Sequence, residues 1–401
     1  MTQALADSFD LTRPDPGFAE DPFPTYRALL AYSPVKRFSD GSVMAARHAD
    51  LERIYRDTTT FSSDKKQEFL PKYGKTPLFE HHTTSLVFND PPLHTRVRKI
   101  MVGALTPRAI AAMEPGLIRL VDHLLDRMGP QADLISEFAA AIPIEVIGNL
   151  FDMPHAERGP LRDWSLAILG ALEPVLSAEQ EDRGNRAVDE FCGYLRDLIA
   201  RRRAKPGDPA TDVLTRLMQG TRSGEHLTEV ELLQNCIFIL NAGHETTTNL
   251  IGNGLDLFLD HPDQRDLLIN NPGLIDSAIE EFLRHQSSNQ LGNRITTAAT
   301  EIGEIAVAAG TRVHLLIGAA NRDPAKFPDP DRFDITRSPN KHLAFAGGPH
   351  ICLGLTLARL EGKIAIQRFL ARYPGFHRAG PATRTGRVRF RGFSHLPVQL
   401  T

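Results

Sequence analysis

One segment restricts the fold of this chain more than any other. From Thr228 to about Asp260 the sequence predicts a single helix of roughly 33 residues, hence about 50 Å at 1.5 Å per residue. Thr228 and Glu231 form a capping-box pattern at its start, and Pro262 stops it. Leu232 to Leu240 is apolar except for Gln234 and Asn235, the pattern of a helix buried on most sides. Then the chemistry changes to Ala242-Gly-His-Glu-Thr-Thr-Thr248, and apolar residues resume at Leu250. Polar groups left unpaired inside a buried helix cost several kcal/mol, and Gly243 costs about 1 kcal/mol against alanine. That expense points to function. Gly243 lets something flat press against the helix, and a threonine hydroxyl bonded to a carbonyl one turn back can open it locally. Glu245 beside Thr246 offers a proton relay, with His244 outside the chemistry. A water-filled kink or a packing face between helices is the competing reading.

The rest of the chain reads as a mainly α fold built around that helix, with small β-sheets and a single domain over residues 1–401. Between about 91 and 260 apolar residues recur at three and four positions, as in Ile110, Met113, Leu117, Leu120 and Leu124. Ser42 to Ala46 reads as an edge strand. Ala309-Gly310-Thr311 reads as a hairpin turn between short strands. Asn321 to Phe333 is rich in turn formers, and Arg387 to Leu400 reads as short strands broken at Gly392 and Pro397. A formal net charge of −3 excludes a broad nucleic-acid footprint. The N-terminus is acidic and Pro-containing, without a leader-like apolar stretch, and no segment has the roughly 20 apolar residues of a membrane span. Three scattered cysteines suit a reducing compartment, so a cytoplasmic location is expected.

Of those cysteines, Cys352 stands apart. It lies in Phe345-Ala-Gly-Gly-Pro-His-Ile-Cys-Leu-Gly354, just before the helical LTLARLEGKIAIQRFL. Three glycines and a proline force a loop that exposes N–H groups around one sulfur. The positive end of the following helix favours the thiolate, as an anionic metal ligand requires. His350 is placed to reach an anionic group at a cofactor's edge. Cys192 and Cys236 sit in apolar helical contexts and read as core. His81 and His82 read as surface residues of a polar loop, without zinc-ligand spacing.

Together these segments resemble the cytochrome P-450 superfamily, specifically its soluble bacterial members, over the chain from about Asp21 to its end. The cysteine loop is similar to the family's F-x-x-G-x-H-x-C-x-G signature through Phe345, Gly348, His350, Cys352 and Gly354, with Ala346 where glycine is usual. Ala242, Gly243, Glu245 and Thr246 match the oxygen-activation motif A-G-x-[D/E]-T. Glu281 and Arg284 resemble the E-x-x-R pair, which the family uses to hold the loop Asn321 to Phe333. His94, Arg98 and Arg294 fall where the family binds haem propionates. Where two prolines often follow E-x-x-R, this chain has Ser287-Ser288-Asn289.

The resemblance implies a haem-thiolate monooxygenase carrying haem b (iron protoporphyrin IX) on Cys352. Glu245 and Thr246 would be catalytic, delivering protons. Ala242, Gly243, Phe345 and Gly354 would join the haem-binding set. O2 and a small, mostly hydrophobic substrate would react by hydroxylation or oxidative dealkylation. Asn289 is expected to offer that substrate a polar handle, and Phe393 to line its pocket. The chain has no room after Cys352 for a flavin or iron–sulfur domain, so a ferredoxin and its reductase would supply electrons to a monomer. Arg359 and Lys363 are candidates for steering the acidic ferredoxin. A non-catalytic haem-thiolate carrier and a hydrogen-peroxide-driven peroxygenase remain the alternatives. Substrate identity is not legible.

Overall fold

The computed structural model describes residues 2–221 and 224–401. Two compact units emerge. The first comprises Met1–Ser62, Ile118–Ala140 and Thr246–Thr401, and the second Ser63–Leu117 and Ala141–Glu245.

Every strand of the structure except Gln131–Asp133 belongs to the first and last segments of unit 1. Its main sheet uses β1 (Val35–Arg37), β2 (Val43–Ala45), β3 (Phe61–Ser62), β5 (Leu291–Thr296) and β8 (Arg312–Leu316), in the order β1-β2-β8-β5-β3. A second sheet joins β4 (Gln131–Asp133), β12 (Pro397–Gln399) and β9 (His377–Arg378). Two ribbons, β6 (Thr300–Ile302) with β7 (Ile305–Val307) and β10 (Thr383–Arg384) with β11 (Phe393–His395), complete the β-structure.

The main sheet corrects the expectation for Ser42 to Ala46. That segment is an internal strand, antiparallel to β1 on one side and parallel to β8 on the other. Both faces of β2 are covered. Val43 and Ala45 join one apolar cluster with Phe61, Val313 and Leu315. Met44 and Ala46 join another with Phe18, Tyr26 and Leu29. The two-residue alternation of a strand produces this split. A second correction concerns Gly310. Its φ of +79° does mark a turn, but β7 and β8 belong to different sheets, and Gly310 N–H donates to Thr296 O at 2.7 Å. The actual hairpin joins β6 to β7 through Gly303, at φ +58°.

Among the described residues of unit 2, the regular elements are all helices. The helix Leu161–Gly170 packs on Ala178–Ala204, where Trp164 lies 4.7 Å from Phe191 between ring centroids and donates to Glu190 Oε2 at 2.8 Å. Ser177 and Gln180 form a complete capping box before the second of these helices. The helix Pro77–Thr84 carries His81 and His82, both buried, not on a surface loop as expected. His81 Nδ1 lies 3.0 Å from Gln234 Oε1, and burial pushes its pKa down to about 4. Among the described residues no group of three His, Cys, Asp or Glu could hold a metal ion.

The long helix runs from Glu229 to Asp260 without a break, so the local opening expected at its polar segment is not present. Thr228 N–H donates to Glu231 Oε2 at 2.9 Å and Glu231 N–H to Thr228 Oγ1 at 3.2 Å, which completes the capping box read from the sequence. Among the described residues no helix is long and apolar enough to cross a membrane.

In unit 1 the helix Ile275–His285 buries the Glu281–Arg284 pair completely. Arg284 Nε and Nη2 reach the two carboxylate oxygens at 2.7 Å each. The remaining guanidinium donors go to Asn321 O, Pro330 O and Arg332 O at 3.0, 2.7 and 3.2 Å. Glu281 in turn accepts from Asp334 N–H, Asn340 Nδ2 and Arg337 Nε. The turn-rich loop therefore hangs on two residues, as the i,i+3 spacing suggested. Removing one partner leaves the other charge buried and unmatched. Glu281→Ala is expected to destabilise the protein by roughly 3–5 kcal/mol. Urea unfolding of the variant against the wild type measures this, and equal midpoints would show the pair to be dispensable.

Candidate active site

The cysteine loop sits entirely in unit 1. Cys352 N–H donates to Phe345 O at 2.9 Å, closing the loop, and Ile351 N–H donates to Gly348 O at 3.1 Å in the short 3₁₀ turn Gly348–His350. Gly348 needs its glycine twice over. Its φ is +63°, and a Cβ there would lie 2.1 Å from Tyr55 O. Ala346, where the family signature usually has glycine, also lies in the left-handed region at φ +57°. The helix Leu355–Arg372 begins right after this loop, with Gly354 as its N-cap and no side chain taking its first N–H groups. Cys352 is half-buried there. The positive end of that helix and a nearby cation favour a sulfur anion.

The cation is Arg359. It donates from Nε and Nη2 to Glu280 at 2.6 and 2.8 Å, and its guanidinium lies 4.7 Å from the Phe345 ring centroid. Its pKa is raised first by those bonds to Glu280 and further by the charge of Cys352. Burial alone would raise the Glu280 carboxyl, but the bonds from Arg359 and His342 override it and hold its pKa at about 2. Lys363 is paired with Asp276 at 3.1 Å. Both basic residues expected to steer a ferredoxin are thus paired with acidic neighbours in their own unit while keeping partial exposure.

Arg294 lies on β5 opposite Val313 of β8. It is buried, with its guanidinium 5.1 Å from the Tyr55 ring centroid. Tyr55 was not singled out from the sequence, yet the same residue supports Arg294 and presses against Gly347 and Gly348. An isolated tyrosine within the helix His48–Arg56 carries no signal that could have found it. In unit 2, His94 and Arg98 sit one turn apart on the helix Leu93–Ala104, His94 buried and Arg98 half-buried.

Along the long helix, burial singles out one stripe. From Leu232 to Leu257 only Phe238, Ala242, Gly243 and Thr246 keep partial exposure. Phe238, Ala242 and Thr246 are four residues apart, hence one face of the helix. A flat group pressed against that face meets one methyl and one hydroxyl at the positions of the sequence motif. Gly243 differs from expectation, because a Cβ there would lie 2.8 Å from Ile147 Cδ1. It permits close approach of the helix Ala141–Leu150, and Gly243 keeps partial exposure beside Ala242. Glu245 is 2 % exposed. The carbonyl of Thr246 accepts from Ser288 Oγ at 2.8 Å, while Ser287 Oγ donates to Leu283 O and accepts from Asn321 Nδ2. The two serines that depart from the family pattern therefore brace this site. Asn289 Oδ1 accepts from Leu291 N–H at 3.3 Å, which leaves its amino end and the oxygen's second lone pair for a ligand. Phe393 is buried beneath Arg384, 4.1 Å from guanidinium carbon to ring centroid.

Within unit 1, a half-buried sulfur at a helix N-terminus, with Arg359 beside its loop and Arg294 buried on β5, makes a donor set suited to an anionic, metal-bearing group. The family model described as "Cytochrome P-450" matches residues 164–376. The chain belongs to the cytochrome P-450 family. It is 37 % identical to the Vitamin D(3) 25-hydroxylase of Pseudonocardia autotrophica, across 96 % of this chain and 94 % of the relative. It is 35 % identical to the biotin biosynthesis cytochrome P-450 of Bacillus subtilis strain 168, across 95 % and 96 %. Among solved structures, CYP109E1 from Bacillus megaterium in complex with testosterone superposes with a TM-score of 0.87 at 28 % identity, covering 96 % of this chain and all of that one. The protein is accordingly a monooxygenase of the haem-thiolate class, with iron protoporphyrin IX as its cofactor.

Two expectations follow for the loop and its cation. Ala346→Gly should stabilise the protein by roughly 1 kcal/mol, because glycine adopts a positive φ without the Cβ clash; thermal unfolding checks this, and a loss of stability would argue against the strained loop. Glu280 has its pKa lowered from 4.5 in the folded state, so it contributes stability above that value and loses it as pH falls toward about 2. Urea unfolding at stepped pH should show Glu280→Gln roughly 2 kcal/mol weaker than the wild type at neutral pH, the gap closing between about pH 5 and 2. A gap independent of pH would exclude this carboxylate as its source.

Proposed function

We propose that this monooxygenase inserts one oxygen atom of O2 into a C–H bond of a small, mostly hydrophobic molecule, by hydroxylation or oxidative dealkylation. The observation that carries the reading is the placement of Cys352 just before the helix Leu355–Arg372 and near Arg359, in the loop that bears the family signature, an environment that favours a thiolate. A haem on such a ligand supplies reductive activation of O2 and transfer of one oxygen atom, because thiolate donation favours O–O cleavage.

The protein's own contribution is orientation and proton control. His350, Arg294, His94 and Arg98 would hold the propionates through charge-assisted bonds. Phe345, Ala242 and Gly354 would pack against the ring. Thr246 Oγ1 would hold the proton to be delivered, and the Glu245 carboxyl would replenish it. Ser288, bonded to the Thr246 carbonyl, keeps that residue in place. Electrons would come from a ferredoxin and its reductase, by family likeness, with the partly exposed Arg359 and Lys363 as candidates for steering it. Free cysteines at 192 and 236, both buried in helices, support a reducing cytoplasmic setting. The relatives' names span a vitamin D hydroxylase and a testosterone complex, which supports an apolar substrate of modest polarity.

The test is spectroscopic and kinetic. The reduced, carbon-monoxide-treated protein should show the thiolate-haem spectrum, and Cys352→Ser should abolish it together with turnover. Thr246→Ala should keep the spectrum and substrate binding but divert NADH-derived electrons to hydrogen peroxide, lowering product per NADH by roughly tenfold or more. An imidazole-type spectrum, or full coupling in Thr246→Ala, would overturn the reading.

A further inference from the structure

Two ion pairs tie the helix Ile275–His285 to the helix Leu355–Arg372, and they are built differently. Lys363 meets Asp276 at 3.1 Å, with the side chain of Asp276 78 % exposed. One turn closer to Cys352, Arg359 meets Glu280 through two bonds, and a third group joins them. The His342 side chain is 3 % exposed, and its Nε2 lies 3.2 Å from Glu280 Oε2. Its Nδ1 accepts from Ala344 N–H at 3.2 Å, so in the neutral ring the proton sits on Nε2 and faces the carboxylate. An ion pair that only fastened two helices would need no such third member.

Phe345 connects this triad to the sulfur. Its ring centroid lies 4.7 Å from the Arg359 guanidinium carbon and 5.9 Å from the His342 ring centroid. Its carbonyl accepts the N–H of Cys352. After the bonds to Glu280, the charge of Cys352 helps to raise the pKa of Arg359, so sulfur and guanidinium interact. Charge at that place affects how readily a metal on the sulfur takes an electron. Positive charge left uncancelled favours the reduced state, and negative charge favours the oxidised one. Glu280 has no part in the haem binding or proton delivery described above.

We propose that Glu280 is a positioning residue that sets the reduction potential of the iron on Cys352, by cancelling the charge of Arg359. The inference rests on the haem-thiolate reading and adds the residue that regulates electron uptake there. Glu280 Oε1 takes Arg359 Nε and Oε2 takes Nη2, a two-point geometry that fixes the guanidinium plane. His342, buried and anchored to the backbone at Ala344, holds the carboxylate in that pose. The sulfur therefore meets a small and constant field instead of a mobile cation.

Anaerobic spectroelectrochemical titration of the haem-loaded, substrate-free protein at pH 8 tests the assignment. Glu280→Gln keeps the side-chain shape and frees the charge of Arg359, so its potential should be more positive than the wild-type value. The expected change is at least about threefold in the reduction equilibrium, or about 28 mV at 59 mV per tenfold. Arg359→Gln leaves the carboxylate uncancelled and should shift the potential negatively by a similar factor. The double variant, Glu280→Gln with Arg359→Gln, should return to within about twofold of the wild type. Asp276→Asn frees Lys363 one turn farther along the same helices and should change the equilibrium by less than about 1.5-fold. A purely structural role would move the two single variants the same way. A Glu280→Gln potential at or below the wild-type value, an Arg359→Gln potential at or above it, or an Asp276→Asn shift as large as that of Glu280→Gln would each overturn the proposal. The carbon monoxide spectrum, recorded on every variant, separates failure of this assignment from failure of the haem-thiolate reading.

Discussion

The Glu281–Arg284 ion pair sets the geometry on which the cysteine loop depends. Two charges with no exposure to water would be a liability if any lone pair or N–H were left unmet. Here the guanidinium donates to the carboxylate and to three carbonyls, and the carboxylate accepts from three further groups. A segment with little periodicity, residues 321–333, thereby acquires one conformation. The constraint then passes along the chain through Asn321. Its carbonyl is held by Arg284, its Nδ2 donates to Ser287, and its Oδ1 accepts from Leu343 N–H at 2.7 Å. Leu343 is where the cysteine loop begins, and Ala346 N–H folds back onto Leu343 O at 2.8 Å. A pair remote in sequence from Cys352 is therefore two hydrogen bonds from the start of its loop.

The same economy governs the sulfur's electrostatics. Arg359 cannot act as a free cation beside Cys352, because Glu280 already neutralises much of it through two short bonds. What the sulfur meets is a guanidinium pinned between a carboxylate and the Phe345 ring, together with uncapped N–H groups at a helix start. Such an environment supports an anion without overstabilising it, and a ligand must keep donor strength if it is to push electron density onto iron. Fixed dipoles and a half-neutralised cation meet that requirement better than a free arginine would.

Much of this was legible from local chemistry. Glycine density around one cysteine, the capping box at Thr228 and the three-residue spacing of Glu281 and Arg284 each express a short-range physical rule, and each appears in the structure as read. Misreadings arose where tertiary context decided. Ser42 to Ala46 is too short to declare both of its faces apolar, so its position inside the sheet was invisible. His81 and His82 look like surface residues until their helix brings aromatic rings, Gln234 and burial together. At Gly243 a further requirement for glycine comes from Ile147, nearly a hundred residues earlier in sequence. Tyr55 and Ser288 matter only through partners distant in the chain, Arg294 and Thr246, and no motif announces either.

The polar residues of the long helix divide along its length according to what satisfies them. Toward the N-terminus, Gln234 and Asn235 bond to the segment around His81 and Leu86. Toward the C-terminus, Asn253 ties the helix to the backbone at Gln286 and Arg391. These bonds replace water with fixed protein partners and fasten the helix in place. Between them lies a window of about two turns in which Asn241 has both amide ends unmet and Ala242 and Thr246 keep partial exposure. A helix fastened by polar bonds on both sides of such a window can hold unsatisfied groups at its middle without unwinding. Its unbroken course through Ala242–Thr248 is therefore the expected consequence of that arrangement.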